Sequence, residues 1–251
     1  MRIVSWNVNS IRVRLEQVLE WIELNAPDVL GLQEIKCIND DFPVNEFERL
    51  GYYCYVNGQK TYNGVALLSK KPIDFVFMDL EKFEDDQKRV IAGMIDDHII
   101  WNIYVPNGNS VGSDKYQYKL AWLEALKENI SASLNKTTKQ VVMGDFNIAP
   151  EDADVHDPEA WKDKILCSQP EREALKELYS LGFNDSFRFM HPELVQYSWW
   201  DYRAAGYRRN LGLRIDLVLC TDQIKLKKAL IDEAPRKLER PSDHAPVLIE
   251  F

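Results

Sequence analysis

Short apolar runs rich in β-branched and aromatic residues recur along the whole chain, and no other feature restricts its fold as much. They cover Arg2–Val8, Asp28–Gln33, Tyr52–Asn57, Gly64–Ser69, Ile73–Asp79, Arg89–Ile95, Ile99–Val105, Gln140–Gly144, Arg214–Cys220 and Pro246–Phe251. Each is of strand length, and most are bounded by Gly, Pro, Asn or Asp, which punctuate strands. Three amphipathic helices are interleaved with them. Val13–Leu24 aligns Leu15, Val18, Leu19 and Ile22 on one stripe, and Tyr116–Leu134 does the same with Leu120, Leu123, Leu126 and Ile130. The third, Glu171–Leu181, runs into Gly182 at the position after the helix where left-handed backbone is favoured. Strands outnumber helices and many neighbours read as hairpins, so the expected architecture is α/β, with two mixed sheets packed face to face and helices outside. No linker, low-complexity segment or long charge run breaks the pattern, and one domain over residues 1–251 is expected.

Composition narrows the chemistry. With 251 residues, 45% of them apolar, the chain can bury a sizeable core without cross-links. Cys37, Cys54, Cys167 and Cys220 are scattered and form no CxxC pair, which argues against a structural zinc site and against a disulfide framework. The opening MRIVSWNVNS reads as a strand and not as a signal peptide, and no apolar run reaches membrane-spanning length, so a cytoplasmic protein with no membrane partner is expected. Net charge is −9, which poorly suits a protein that coats nucleic acid non-specifically. The charge is uneven, however. Tyr197–Asp216 carries Arg203, Arg208, Arg209 and Arg214 against Asp201 and Asp216 alone, leaving one basic face on an acidic molecule.

Polar residues fall at telling places. Apolar runs end abruptly in an amide, acid or imidazole: Val4-Ser5-Trp6-Asn7, Leu32-Gln33-Glu34, Ile103-Tyr104 before Pro106-Asn107, Gly144-Asp145-Phe146-Asn147, Ile215-Asp216, and Ser242-Asp243-His244 before the last strand. Singly, each has an ordinary explanation as a turn or a surface pair. Together they describe strand ends that can gather at one sheet edge. One histidine and no placed thiolate exclude a zinc cage, whereas carboxylate and amide oxygens suit a hard cation, Mg²⁺ or Mn²⁺. Such an ion polarises a phosphoryl oxygen, while a separate Asp orients water and an Asp-held His stabilises phosphate charge. The absence of GxxxxGK[ST] and GxSxG motifs argues against P-loop and serine-esterase chemistry. Metal-assisted hydrolysis of a phosphate ester is the expectation.

At these residues the chain resembles the exonuclease III family of class II abasic-site endonucleases, within the endonuclease/exonuclease/phosphatase superfamily. The resemblance runs through WNVNSIR, PDVLGLQEIK, NGVALLSK, the Tyr104-Val105-Pro106-Asn107 turn, GDFNIAP, YSWWDYR, NLGLRIDLVL and SDHAPV. It implies a four-layered α/β sandwich and a Mg²⁺-dependent nuclease, with Mn²⁺ able to substitute. The implied reaction is incision 5′ to abasic sites in duplex DNA, leaving a 3′-hydroxyl and a 5′-deoxyribose phosphate, together with 3′→5′ exonuclease or 3′-end trimming. Position by position, Glu34 matches the principal metal ligand, with Asn7 and Asp243 beside it. Asp145 matches the acid that orients or activates water, Asn147 the residue that positions phosphate, His244 the imidazole on the scissile phosphate and Asp216 the acid that holds it. Tyr104 matches a tyrosine at the phosphate or leaving group. Asp145, Asn147 and His244 also form a second position for a metal or phosphate.

Two departures stand out: Asn9 occupies a position where some relatives carry Asp, and Leu213 one where some carry Trp. Trp199, Leu213 and Ile215 are expected to form an apolar pocket for a flipped-out baseless sugar, which is cheap to extrude because it has no base to unstack. Asn107, Arg203, Arg208 and Arg209 are expected to contact the DNA backbone. A monomer acting on duplex DNA with abasic sites or blocked 3′ ends follows from the resemblance. The rival is a superfamily phosphodiesterase of the sphingomyelinase or inositol polyphosphate phosphatase type, which would share the catalytic set; YSWWDYR and NLGLRID favour the DNA branch.

Overall fold

The computed structural model describes residues Met1–Phe251. The first half of the chain contains β1 (Arg2–Asn7), α1 (Ile11–Asn25), β2 (Val29–Gln33), α2 (Val44–Arg49), β3 (Tyr53–Asn57), β4 (Val65–Ser69), β5 (Asp74–Phe77), β6 (Val90–Ile95), β7 (His98–Tyr104) and α3 (Asp114–Ser133). The second half contains β8 (Gln140–Asp145), α4 (Pro158–Trp161), α5 (Gln169–Ser180), β9 (Phe183–Asp185), α6 (Ser186–Met190), β10 (Trp199–Trp200), β11 (Gly212–Leu213), β12 (Asp216–Thr221), β13 (Lys228–Ile231) and β14 (Val247–Glu250). Two six-stranded mixed sheets form, ordered β13-β14-β1-β2-β4-β3 and β5-β6-β7-β8-β12-β9, with β10 and β11 as a separate two-stranded ribbon.

Side-chain alternation explains the layering. Ile3, Val29, Val65 and Leu67 of the first sheet meet Ile100, Val141, Met143 and Val218 of the second in one buried cluster between the sheets. The alternate residues Val4, Trp6, Leu30 and Leu32 face outward onto α1 and α2, packing with Val18, Trp21, Ile22 and Phe47. On the far side, Ile99, Trp101, Val142 and Leu217 pack with Trp122, Leu126 and Ile130 of α3 and with Leu175 and Leu178 of α5. Helix, sheet, sheet, helix gives the four layers expected.

The helices end where local chemistry ends them. Ser113 caps α3 by accepting from the Tyr116 amide, while Ser168 and Glu171 cap α5 reciprocally. After α5, Gly182 takes the expected left-handed conformation at φ 95°. The hairpin expectation holds for β3·β4, β5·β6 and β6·β7, all antiparallel. It misses two parallel pairings, β1·β2 and β7·β8, whose crossovers are α1 and α3. β13 also went unread, because Lys-Ala-Leu-Ile is too short to announce itself against the preceding basic residues.

Parallel pairing positions the chemistry. β1, β2, β7 and β8 all finish at the same end of the sandwich, and β12, antiparallel to β8, begins there with Asp216 opposite Asp145. Asn7, Tyr104, Asp145 and Asp216 stand an even number of residues from Ile3, Ile100, Met143 and Val218 of the inter-sheet core, so they share its face and all four turn inward at one edge. Close approach of β7 and β8 depends on Gly144: a Cβ there would lie 1.9 Å from the Ile103 carbonyl oxygen. No helix is long and apolar enough to cross a membrane.

Candidate active site

Asn7 joins the two sheets at this edge. Its Nδ2 donates to Glu34 Oε1 and to Asp145 Oδ2, each at 2.9 Å, and the two carboxylates therefore face one another across an amide. Its Oδ1 is taken by the Asn9 backbone amide at 3.0 Å. Asn7 reaches the carboxylates through its nitrogen and so orients both of them. Glu34 leaves β2 in left-handed backbone at φ 49°, as does Asn147 beyond β8 at φ 49°. Such conformations cost about 1 kcal/mol or more for non-glycine residues and persist where surrounding bonds over-determine them. Around Glu34 those bonds are Ser10 N to Glu34 O at 2.7 Å and Ile35 N to Gly64 O at 3.1 Å.

Asp145 is fixed on both oxygens, Oδ2 by Asn7 and Oδ1 by the Asn147 amide at 2.9 Å. Burial pushes its carboxyl up to about 7, with Asp216 and Glu34 adding to the effect and His244 opposing it. His244 Nε2 lies 3.8 Å from Asp145 Oδ2. The other ring nitrogen, Nδ1, is 2.9 Å from Asp216 Oδ2, and that oxygen also accepts from Ser198 Oγ at 2.6 Å. Burial alone would lower the imidazole's pKa, but the charges of Asp216, Asp145 and Asp243 outweigh it and raise it to about 10. These carboxylates favour the protonated ring, whose Nε2 is on the side of Asp145.

A second line of polar groups runs behind Glu34. Lys36 Nζ is 2.8 Å from Glu34 Oε2 and donates to Asn9 Oδ1 at 2.6 Å. Asn9 Nδ2 donates to Asp243 Oδ1 at 2.9 Å, and Trp199 Nε1 to Asp243 Oδ2 at 3.0 Å. Burial opposes ionisation of Glu34, but Lys36, through its charge and hydrogen bond, and Asn7 hold its carboxyl below the usual range. Asp243 is likewise held down against burial by His244, Asn9 and Trp199. Asp243 is linked to Glu34 through Asn9 and Lys36, and the ligand atoms within 4.8 Å of one another belong to Glu34, Asp145 and His244.

Tyr104 ends β7 half-buried, its ring beneath the Arg89 guanidinium at 4.7 Å. Burial, with the charges of Glu34 and Asp145, raises its phenol well above the ordinary value, so it stays a neutral hydrogen-bond donor. Asn147 donates through Nδ2 to the Val105 carbonyl at 3.0 Å and accepts from Asn107 Nδ2 at 3.0 Å. One Nδ2 hydrogen remains for a ligand. Sequence reasoning missed Lys36, Arg89, Ser198 and Ser242, whose Oγ donates to the Asn7 carbonyl at 2.7 Å. Each reads locally as an ordinary charge or hydroxyl, although Lys36 is two residues from Glu34, Ser242 two from His244, and Ser198 next to Trp199.

Trp199, Leu213 and Ile215 do come together, since Trp199 pairs with Leu213 across the β10·β11 ribbon. They belong to one packed cluster. Leu213 is 0% and Ile215 1% exposed, packed with Ala149, Val155, Leu166 and Cys167 beneath a half-buried Trp199. Leu166 fills this space from left-handed backbone at φ 70°. Arg208 and Arg209 are exposed. Arg203 is exposed but paired with Asp201 at 2.6 Å. Arg214, counted with the basic face in the sequence, is instead buried between Asp154 and Asp185 at 2.7 and 2.8 Å.

The donor chemistry fits a hard divalent cation, because two facing carboxylates outnumber the single imidazole and no thiolate is near. Glu34 and Asp145 are the residues that would hold it. A model of the endonuclease/exonuclease/phosphatase family matches residues 4–244 of the chain. Exodeoxyribonuclease III of Haemophilus influenzae is 35% identical, the alignment covering 100% of both proteins. A Neisseria structure described as a 3′ phosphatase bound to product DNA hairpin superposes with a TM-score of 0.99 at 45% identity, covering 100% of this chain and 99% of that one. An AP endonuclease structure from Archaeoglobus fulgidus does so with a TM-score of 0.96 at 38% identity, again covering 100% and 99%.

Proposed function

Because the chain belongs to the endonuclease/exonuclease/phosphatase family, we propose that its site hydrolyses phosphoester bonds in duplex DNA with Mg²⁺. It removes phosphate and nucleotides from 3′ ends and incises 5′ to abasic sites, the latter leaving a 3′-hydroxyl and a 5′-deoxyribose phosphate. One observation carries this reading: facing carboxylates of Glu34 and Asp145 stand beside an imidazolium held by Asp216, all at one sheet edge. The relatives named above supply DNA as the substrate class.

The residues divide the work by their charge. Asp145, raised by burial toward neutrality, accepts the proton of an attacking water while its oxygens are steered by Asn7 and the Asn147 amide. His244 donates from Nε2 to a non-bridging phosphate oxygen, and Asp216 keeps the ring oriented and charged. The remaining Nδ2 hydrogen of Asn147 and the neutral phenol of Tyr104 bind the same phosphate. Glu34 and Asp145 would hold the Mg²⁺, which would supply Lewis acidity toward the phosphoryl oxygen and the leaving group. Arg208, Arg209 and Asn107 hold flanking phosphates.

Packing of Leu166 against Leu213 and Ile215 supports the 3′-phosphate as the better substrate, since a 3′-terminal phosphate needs no sugar pocket and an extruded abasic sugar does. The 38% identity to an AP endonuclease favours retaining abasic incision as the second reading. Labelled duplexes with a 3′-phosphate, an internal abasic site or no lesion, incubated with Mg²⁺ or with EDTA, test both. Expected is Mg²⁺-dependent turnover, fastest at the 3′-phosphate. Undiminished cleavage in EDTA sinks the metal role, and no cleavage of any duplex sinks the nuclease reading.

A further inference from the structure

Beneath the site lies a buried ion pair that the chemistry above does not use. Lys119 of α3 and Glu171 of α5 are both fully buried, and they bond to one another. Burying two charges is expensive, and replacing such a pair by apolar side chains is often neutral or stabilising. Stability alone is therefore a poor reason for this pair. Its other contacts suggest a better one.

Lys119 Nζ spends its two remaining hydrogens on backbone carbonyls, that of Asn147 at 2.7 Å and that of Asn107 at 3.3 Å. These belong to the two loops that follow β8 and β7. Asn147 is the residue in left-handed backbone, and its amide is what holds Asp145 Oδ1 at 2.9 Å. Asn107 in turn donates to Asn147 Oδ1 at 3.0 Å. Glu171 is saturated on its own side by Lys119, by the Leu166 amide at 3.1 Å, and by the Ser168 amide and hydroxyl at 3.0 and 2.6 Å. It anchors the ammonium from a helix that lies outside the second sheet.

We propose that Lys119 is a positioning residue for phosphoester hydrolysis: its ammonium pins the Asn147 and Asn107 carbonyls and so sets the direction of the Asn147 amide and the Asp145 carboxylate. The assignment rests on the hydrolase reading above. Asn147 has all its other polar atoms engaged by Asp145, Val105 and Asn107, and Lys119 is the group that fixes its carbonyl. Released from Lys119, the left-handed residue is free to relax toward ordinary backbone, rotating the amide off Asp145. Displacement of this kind away from the reacting atoms costs about 100-fold in rate.

Three variants test this on the 3′-phosphate duplex with Mg²⁺, each followed by thermal melting. Lys119→Met removes the donors and leaves Glu171 unpaired. Lys119→Met/Glu171→Gln removes both charges. Lys119→Gln keeps an uncharged donor one bond shorter on the same side chain. Expected for the double variant is a melting temperature near that of the wild type, with kcat lowered about 100-fold and KM unchanged. Lys119→Gln is expected to recover much of that kcat. The proposal is overturned if the double variant recovers wild-type kcat with its stability, if Lys119→Gln is no faster than Lys119→Met, or if none of the three folds. Failure of the hydrolase reading is distinguishable, because the wild type itself would then leave the duplex intact.

Discussion

Asp145 combines two properties seldom found in one carboxylate: both oxygens are hydrogen-bonded, yet burial lifts its pKa toward neutrality. An exposed Asp stays far below pH 7 and is a weak proton acceptor there. Asp145→Asn preserves the shape and removes that capacity, so kcat should fall by about 10²–10⁴-fold with DNA affinity retained. A loss of binding in parallel with rate, measured by fluorescence anisotropy, would show that the residue binds DNA instead. The pH profile follows from the same group and its neighbour. Asp145 must be ionised to accept a proton, so kcat/KM should rise with pH up to about 7; His244 must stay protonated to donate, so it should fall again near about 10. A cation beside Asp145 stabilises carboxylate over carboxylic acid and moves the acid limb down, never up. An acid limb that rises in pH when Mg²⁺ is increased would contradict the placement of the ion at Glu34 and Asp145.

Strand β8 delivers Asp145 only because it can lie flat against β7. Gly144→Ala puts a methyl where the Ile103 carbonyl stands, with 1.9 Å between them, and backbone cannot yield as a side-chain tip can. A destabilisation of about 2–4 kcal/mol is expected from urea denaturation. A near-neutral result would mean that the β7·β8 spacing is wrong. Just past this strand, the segment holding Leu166 controls the space behind Trp199. Leu166→Gly relieves a left-handed residue and vacates the volume against Leu213 and Ile215. The ratio of abasic incision to 3′-phosphate removal, compared through kcat/KM, should therefore rise. An unchanged ratio would show that the packed cluster is not what discriminates between the substrates.

Across the whole molecule, a net charge of −9 leaves little attraction for DNA beyond local arginines. Arg203 and Arg214 are neutralised by Asp201 and by Asp154 with Asp185, which leaves Arg208 and Arg209 as the unpaired pair on that face. Weak, salt-sensitive binding with ready release suits an enzyme that acts and departs. Each phosphate contact contributes about 0.9 to the slope of log affinity against log salt, so Arg208→Ala/Arg209→Ala should reduce the slope by about 2 and raise KM without changing kcat. If the slope is unaltered, these arginines face solvent in the complex as well.

The period-two pattern of apolar residues was enough to determine two stacked sheets with helices outside, because a strand's alternate faces must each be buried by something. Abrupt polar endings at Asn7, Glu34, Tyr104, Asp145, Asp216 and His244 were legible for the same reason: each interrupts a periodicity that packing otherwise enforces. Tertiary structure decided what periodicity cannot encode. Hydrogen-bond direction turned the Asn7 nitrogen, and not its oxygen, toward the carboxylates, and it spent both oxygens of Asp243 on Asn9 and Trp199. Partners distant in sequence converted Arg214 from a basic-face residue into core and brought Ser198 to Asp216. Close packing set Leu166 and Cys167 against Leu213 and Ile215. A local pattern reports which face a residue turns inward, whereas the partner it meets there depends on strands that are neighbours only after folding.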